Sequence, residues 1–182
     1  MDLEVLALAK LLGKEQERRP REDRWGGSPF AWLAPWPPAK TKGEIFESVV
    51  HRWCEEMGLT VARTGDSEAD RVIGGRRFEI KGSTLWKNGK YVFQQIRKQN
   101  YDALVCLGIS PFDAHCWIIP KGVVLEQWGA GGIRPQHGGR RGQDTAWLKI
   151  RPSRPDKWLR DCGGSLSEAK QCLRSLLSAT SG

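Results

Sequence analysis

Adjacent glycines at positions 74 and 75 separate two β-prone runs, RVI before them and RRFEIK after them. Glycine readily adopts the positive φ angles that a two-residue hairpin turn requires. The pair therefore predicts a β-hairpin, with two antiparallel strands side by side. Further strands are predicted in LTVARTG (59–65), KYVFQQI (90–96, after an Asn-Gly turn signal), DALVCLGI (102–109), AHCWIIP (114–120) and WLKI (147–150).

Amphipathic helices are predicted on both sides of these strands. In residues 42–58 the apolar positions form one broad face, and Gly58 stands where a helix C-terminal glycine belongs. Ser165 and Glu168 fit a capping box before the last helix, and residues 1–19 and 121–129 are also predicted to contain helix. The order of elements predicts an α/β domain around one central sheet.

A segment rich in proline and tryptophan, residues 20–40, separates the first helix from the rest. Its five prolines make regular structure improbable, and its three tryptophans predict packing over the domain surface or along a groove. The predicted division is therefore an extension over residues 1–40 and one domain over 41–182. Within that domain, residues 41–120 form the core, followed by a basic segment and final helix over 121–182.

Positive charge is concentrated in the last third of the chain. The net charge is +8, and from Lys121 onward 11 basic residues stand against 5 acidic ones. Such a segment suits a polyanion such as double-stranded DNA, although a solvated basic face is a common alternative. The sequence has no run of 18 apolar residues, no signal-peptide pattern and no CxxC among its five cysteines, which predicts a cytoplasmic protein with free thiols and no membrane partner.

The predicted hairpin brings three charged residues together. Glu79 and Lys81 lie two apart on one strand and project from the same face. Asp70 begins the other strand and can reach the same point. Hydrolysis of a phosphodiester needs such a set, because hard oxygen ligands hold Mg²⁺ and a nearby ammonium can orient or deprotonate the attacking water. Asp70, Glu79 and the carbonyl of Ile80 are the candidate ligands.

The pattern Asp70, eight residues, Glu79-Ile80-Lys81 on a hairpin resembles the PD-(D/E)xK nuclease superfamily, which includes many type II restriction endonucleases. The resemblance covers residues 41–120, and Ala69 replaces the proline that usually precedes the aspartate. It implies a restriction-endonuclease-like core, with a central mixed β-sheet flanked by helices. It also implies Mg²⁺, for which Mn²⁺ can substitute.

Two more catalytic candidates rest on the same resemblance. Glu47 matches the acidic residue of a Gly-x-x-x-Glu context on the preceding helix, although exposed helix glutamates are common. Gln95 matches a glutamine that follows the hairpin in restriction-type members, with Gln94 the less favoured choice. Asp66 and Glu68 are rival acids that fit a loop better, and Asp102 fits a structural role.

Contacts with DNA are predicted for polar residues after the catalytic strand and for arginines downstream, since arginine serves both phosphates and guanine edges. The candidates are Ser83, Thr84, Arg97, Arg134, Arg140 and Arg141. The resemblance leaves a homodimer open, because a twofold enzyme suits a palindromic site.

The leading hypothesis is a restriction-like Mg²⁺-dependent DNA endonuclease. A non-catalytic DNA-binding module on the same fold, such as a reader of modified bases, is the main alternative. A repair or junction nuclease also stays open, since a fold does not decide among these roles. The three histidines share no spacing typical of a metal site, which disfavours histidine-based chemistry.

Overall fold

The computed structural model describes residues 23–33, 39–135 and 145–179. The helix predicted in residues 1–19 and the candidates Arg140 and Arg141 lie outside these ranges. The helices are α1 (Ala39–Glu56), α2 (Lys121–Gln127) and α3 (Leu166–Ser178), with short 3-10 helices at Asp23–Trp25, Ala31–Leu33 and Lys157–Cys162. The strands are β1 (Val61–Arg63), β2 (Arg71–Ile73), β3 (Arg76–Thr84), β4 (Tyr91–Ile96), β5 (Ala103–Ile109), β6 (Ala114–Pro120), β7 (Ile133–Pro135), β8 (Ala146–Ile150) and β9 (Gly163–Ser165).

A six-stranded mixed sheet forms the centre of the fold, in the order β1-β2-β3-β5-β6-β9. Strands β3 and β5 are parallel, and the other neighbours are antiparallel. The predicted hairpin is confirmed: β2 and β3 pair across Gly74 and Gly75, whose φ angles are 55° and 84°. The mixed α/β architecture expected from the sequence is therefore present.

The predicted central mixed sheet is present, but it does not include every strand, because β4, β8 and β7 form a second, three-stranded antiparallel sheet. Tyr91, Phe93 and Ile96 of β4 are fully buried. They pack with apolar side chains from β5 and β6, such as Leu104 and Trp117. β4 thus covers the face of the large sheet instead of extending its edge, because its apolar residues are buried there.

Helices α1 and α3 cover the opposite face of the large sheet, whereas Val124 of α2 is buried on the side of the small sheet. Phe46, Val50 and Cys54 of α1 are buried with Phe78 and Ile80 of β3 in one apolar core. Helix α1 begins at Ala39, three residues before the predicted start, and Gly58 follows its end with a φ angle of 77°, as a helix-terminating glycine does. Three layers result: helices, the large sheet and the small sheet.

The described part of the Pro/Trp-rich segment packs on the domain. Trp25 is buried, and the Ser28 hydroxyl donates a hydrogen bond to the carbonyl of Pro111. Arg24 donates to the carbonyl of Trp86, which fastens the segment beside the end of β3. Trp32, in contrast, is 58% exposed.

The last helix begins as the sequence predicts. The Ser165 hydroxyl accepts a hydrogen bond from the Glu168 backbone N–H at 3.2 Å, and the Glu168 carboxylate accepts one from the Ser165 N–H at 2.8 Å. This reciprocal pair satisfies N–H groups that have no partner within the helix. In the described parts of the chain, no helix is both long enough and apolar enough to cross a membrane.

Candidate active site

The β2–β3 hairpin holds Asp70 against the middle of β3. Its backbone N–H donates to the Phe78 carbonyl at 2.9 Å, and its Oδ2 accepts from the Ile80 N–H at 2.7 Å. The Asp70 side chain is therefore fixed by the strand that carries Glu79 and Lys81. This geometry agrees with the convergence expected from the hairpin, and it leaves Oδ1 of Asp70 for another partner.

Glu79 and Lys81 form a close ion pair on one face of β3. Lys81 Nζ lies 2.5 Å from Glu79 Oε1, and the two side chains are 21% and 6% exposed, respectively. Ile80 points to the other face and is buried in the core beneath α1. The alternation of a β-strand thus separates the charged pair from the apolar residue between them.

Burial and the nearby Asp70 disfavour the ionised form of Glu79. Burial raises the pKa of Glu79 above its usual value of 4.5, and Lys81 opposes that shift. The carboxyl of Asp70 lies within hydrogen-bonding reach and raises the Glu79 pKa further. Two carboxylates close together in a poorly solvated site disfavour joint ionisation unless a cation is shared between them.

This donor set fits Mg²⁺, which prefers carboxylate oxygens and keeps several waters. The carboxyls of Asp70 and Glu79 lie within hydrogen-bonding reach of each other, and this crowded negative charge favours a divalent cation. Within the described ranges, no three histidine, cysteine, aspartate or glutamate side chains are close enough together to hold a metal ion. A metal bound here would therefore rely on two carboxylates, with backbone and water oxygens completing its coordination.

Helix α1 brings Glu47 to the rim of this site. Its Oε2 lies 3.1 Å from Nη1 of Arg71, which also donates to the Asp70 carbonyl at 2.6 Å. Burial raises the Glu47 pKa, and the nearby Asp70 charge raises it further, while Arg71 and Lys81 act in the opposite direction. Sequence reasoning did not select Arg71, although its position next to Asp70 at the start of β2 is a usable signal.

A cleft of about 650 Å³ opens beside Asp70 and Glu47, between α1 and the β1–β2 region. Its wall is mixed in charge. Among the described residues that line it are the acids Glu44, Glu47, Glu55 and Asp70, the bases Arg52, Arg63 and Arg71, and His51. Of the three residues Asp70, Glu79 and Lys81, Asp70 is the one that lines this cleft.

Gln95 lies in an irregular part of β4. Its φ angle is 56°, the one positive value among the described residues other than glycine. The pairing of β4 with β8 shifts register between Phe93 and Ile96, so Gln94 and Gln95 form a bulge, and both are exposed. Bulges and strained backbone are common beside functional sites, where they redirect a side chain.

The residues predicted to contact DNA differ in their exposure. Ser83 is buried, and its hydroxyl accepts from the Val92 N–H at 2.9 Å and donates to the Thr84 carbonyl at 3.0 Å. A hydroxyl engaged in this way inside the fold is not presented to DNA. Thr84 is half-buried, whereas Arg97 and Arg134 are exposed and available to a partner.

The rival acids have structural partners. Asp66 lies 2.5 Å from the Arg77 guanidinium, and Glu68 accepts from the Asn100 N–H at 3.0 Å. Asp102 accepts from the Arg77 N–H at 2.7 Å. These contacts join the loop before β2, the start of β3 and the loop before β5, and they agree with the loop position expected for Asp66 and Glu68 and the structural role expected for Asp102.

Comparison with known proteins identifies the fold but no family. No family model matches the sequence, and no curated protein matches it. Among solved structures, the chain is similar to a bacterial homing endonuclease, I-Ssp6803I, with a TM-score of 0.51 and 17% sequence identity. The match covers 79% of this chain and 96% of the other. At that identity the likeness shows a shared fold, and that fold is one found in a nuclease.

Proposed function

We propose that this protein is a metal-dependent DNA endonuclease. The observation that carries the proposal is the convergence of Asp70, Glu79 and Lys81 at one point of the β2–β3 hairpin. The likeness to a homing endonuclease supports DNA as the substrate. The site has the composition expected of the PD-(D/E)xK mechanism, and a restriction-like enzyme in the cytoplasm is the form we favour.

Each residue of the site has a separate task. Asp70 and Glu79 would hold Mg²⁺, with the Ile80 carbonyl as a further candidate ligand. When bound, Mg²⁺ supplies a water of lowered pKa and offsets the charge that develops on the phosphate. The Lys81 ammonium, held by Glu79, orients that water or exchanges a proton with it, and stabilises negative charge on the non-bridging oxygens.

Glu47 and Gln95 are proposed to assist at the rim. Glu47 holds Arg71 beside the backbone of Asp70, so it acts by positioning. The chain reverses between β3 and β4, and Val92 lies opposite Ser83. Residues after Val92 therefore return toward Glu79, which gives the Gln95 amide a route to the water or the phosphate.

The test is cleavage of plasmid and phage DNA by wild type and Lys81→Met, each with Mg²⁺, Mn²⁺ or a chelator. Lys40→Met is the matched control, because Lys40 is an exposed lysine at the start of α1. We expect metal-dependent cleavage by wild type and by the control. We expect a loss of at least about 100-fold in Lys81→Met, the size typical of losing a general acid or base. Full activity in Lys81→Met with an intact fold would refute the assignment.

A non-catalytic DNA-binding module remains the second candidate, because basic side chains also cluster far along the chain on the small sheet. This alternative predicts salt-sensitive binding and no hydrolysis with any divalent metal. Asp70, Glu79 and Lys81 argue against it, because binding alone does not need two adjacent carboxylates, one of them buried, beside a lysine. Products with discrete ends would support a restriction-like enzyme, whereas preference for branched DNA would support a repair or junction nuclease.

A further inference from the structure

The outer face of the small sheet has a groove of about 890 Å³ with strongly positive walls. Its cations come from the β3–β4 turn, from β7 and β8, and from residues 151–160, which lead into and begin the Lys157–Cys162 helix. Among the described residues that line it, Asp156 is the single acid. The seven basic residues are Lys90, Arg134, Lys149, Arg151, Arg154, Lys157 and Arg160.

The alternation of β8 accounts for this face. Ala146, Leu148 and Ile150 are buried against the large sheet, so Trp147 and Lys149 point outward. Arg134 on β7 pairs in register with Trp147, which places it on the same outer face. Arg151 donates to the Asn88 carbonyl at 3.3 Å and so links the end of β8 to the β3–β4 turn. Arg134 and Lys149 are thus placed on the outer face of the small sheet, and the other cations lie in the turns and the 3-10 helix beside it.

We propose that this groove, which we call the basic groove, is the main anchoring surface for the phosphate backbone of duplex DNA. The cleft beside Asp70 and Glu47 is unsuited to that task, because the acids that line it balance its bases. Affinity for a polyanion follows from the number of phosphates that basic side chains neutralise, and this number is far greater at the groove. The inference rests on the proposed function and assigns anchoring and cleavage to different elements.

The groove favours a duplex over a single strand. Single-stranded DNA is held by aromatic platforms on which its bases stack. The aromatic side chain in the groove, Trp147, is half-buried, and the Lys149 ammonium lies 5.1 Å from the centre of its ring. The ring face is therefore covered by a cation. Exposed ammonium and guanidinium groups remain, and these contact phosphates without regard to base sequence.

The test measures binding without cleavage. A labelled 30-base-pair duplex is titrated with protein in chelator over about 50 to 300 mM KCl, and fluorescence anisotropy gives the Kd at each salt concentration. The groove variant combines Lys149→Gln, Arg154→Gln and Lys157→Gln. The control variant combines Lys40→Gln, Lys170→Gln and Arg174→Gln, which remove the same charge from helices α1 and α3. Thermal unfolding checks that both variants are folded.

We expect the groove variant to bind at least about 10-fold more weakly at 100 mM KCl and to lose two to three units of salt slope, about 0.9 per phosphate contact. The control variant should bind like wild type. Equal binding by the two variants would overturn the proposal, as would tighter binding of a single strand than of the duplex by wild type.

The same proteins separate this inference from the proposed function. With Mg²⁺ and saturating enzyme, single-turnover cleavage by the groove variant should stay within about threefold of wild type, whereas Lys81→Met should bind normally and not cleave. Groove-dependent binding without cleavage by wild type would refute the proposed function and leave the anchoring surface standing. Cleavage by wild type with binding unaffected in the groove variant would do the reverse.

Discussion

Helix α1 packs directly on β3 at Gly82, and this contact predicts that one added methyl group lowers the free energy of unfolding strongly. A Cβ added at Gly82 would lie 2.0 Å from Cγ of Phe46, whereas an ordinary contact is at least 3.4 Å. The ring or the helix must therefore move by about 1.4 Å, and overpacking of this kind destabilises a core by about 1–3 kcal/mol. We expect Gly82→Ala to lie at the upper end, since a 2.0 Å approach leaves no room for relaxation of the side chain alone.

Truncation of Phe46 should reverse the sign of this effect. Phe46→Ala alone removes a buried ring and should lower the free energy of unfolding by about 3–5 kcal/mol. In that background the Gly82→Ala methyl group enters vacated space, and alanine is favoured over glycine in a strand by about 0.5–1 kcal/mol. The double variant should therefore be more stable than Phe46→Ala. The difference between the effects of Gly82→Ala in the two backgrounds gives a coupling energy of about 3.5–4 kcal/mol.

Urea unfolding followed by circular dichroism measures the four proteins of this cycle, and Gly43→Ala serves as the control. Gly43 lies within α1 with open space around it, so an added methyl group should stabilise that helix by up to about 1 kcal/mol. Because α1 also carries Glu47, Gly82→Ala should disturb the Glu47–Arg71 contact and slow DNA cleavage. Additive effects of Gly82→Ala and Phe46→Ala would refute the close packing of α1 on β3.

Three further predictions concern other parts of the chain. Gln95→Gly should raise the free energy of unfolding in urea by about 0.5 kcal/mol, because glycine adopts the positive φ angle at this position without strain. The same change should slow cleavage, because it removes the side-chain amide. Hydrogen bonds from Ser165 lower the pKa of Glu168, so the stability that they provide is present above pH 4.5 and is lost as the pH falls through the lowered value. The difference in melting temperature between wild type and Glu168→Gln should accordingly shrink below pH 4.5. Burial raises the pKa of Cys54 to about 12, so a thiol reagent at pH 8 should modify the partly exposed Cys172 first in the native protein.

Local signals in the sequence predict the parts of the fold that depend on neighbouring residues. The hairpin at Gly74 and Gly75, the apolar face of α1 and the capping box at Ser165 each follow from residues within a few positions of one another. The site follows in the same way, since strand alternation pairs Glu79 with Lys81 and the hairpin register brings Asp70 beside them.

The second sheet could not be predicted in this way. Its central pairing joins Tyr91 to Ile150 and Phe93 to Leu148, which are more than 50 positions apart. Nothing in either run shows which partner it selects, because an apolar strand can be buried by many surfaces. The burial of Ser83 has the same origin, since it depends on β4 lying over β3. The basic groove likewise exists only after four separate segments have been brought together.

Strand β9 is synthesised well after β6, the strand with which it pairs. This strand pairs with β6, joining His115 to Ser165 and Trp117 to Gly163, and so covers the outer edge of β6 in the large sheet. Roughly 40 residues separate the two strands, so during synthesis at 5–20 residues per second the apolar β6 has an open edge for several seconds. An open, apolar edge is a template for pairing with another chain. A protein truncated before Gly163 should therefore aggregate as it is produced, even though Asp70, Glu79 and Lys81 have already been made.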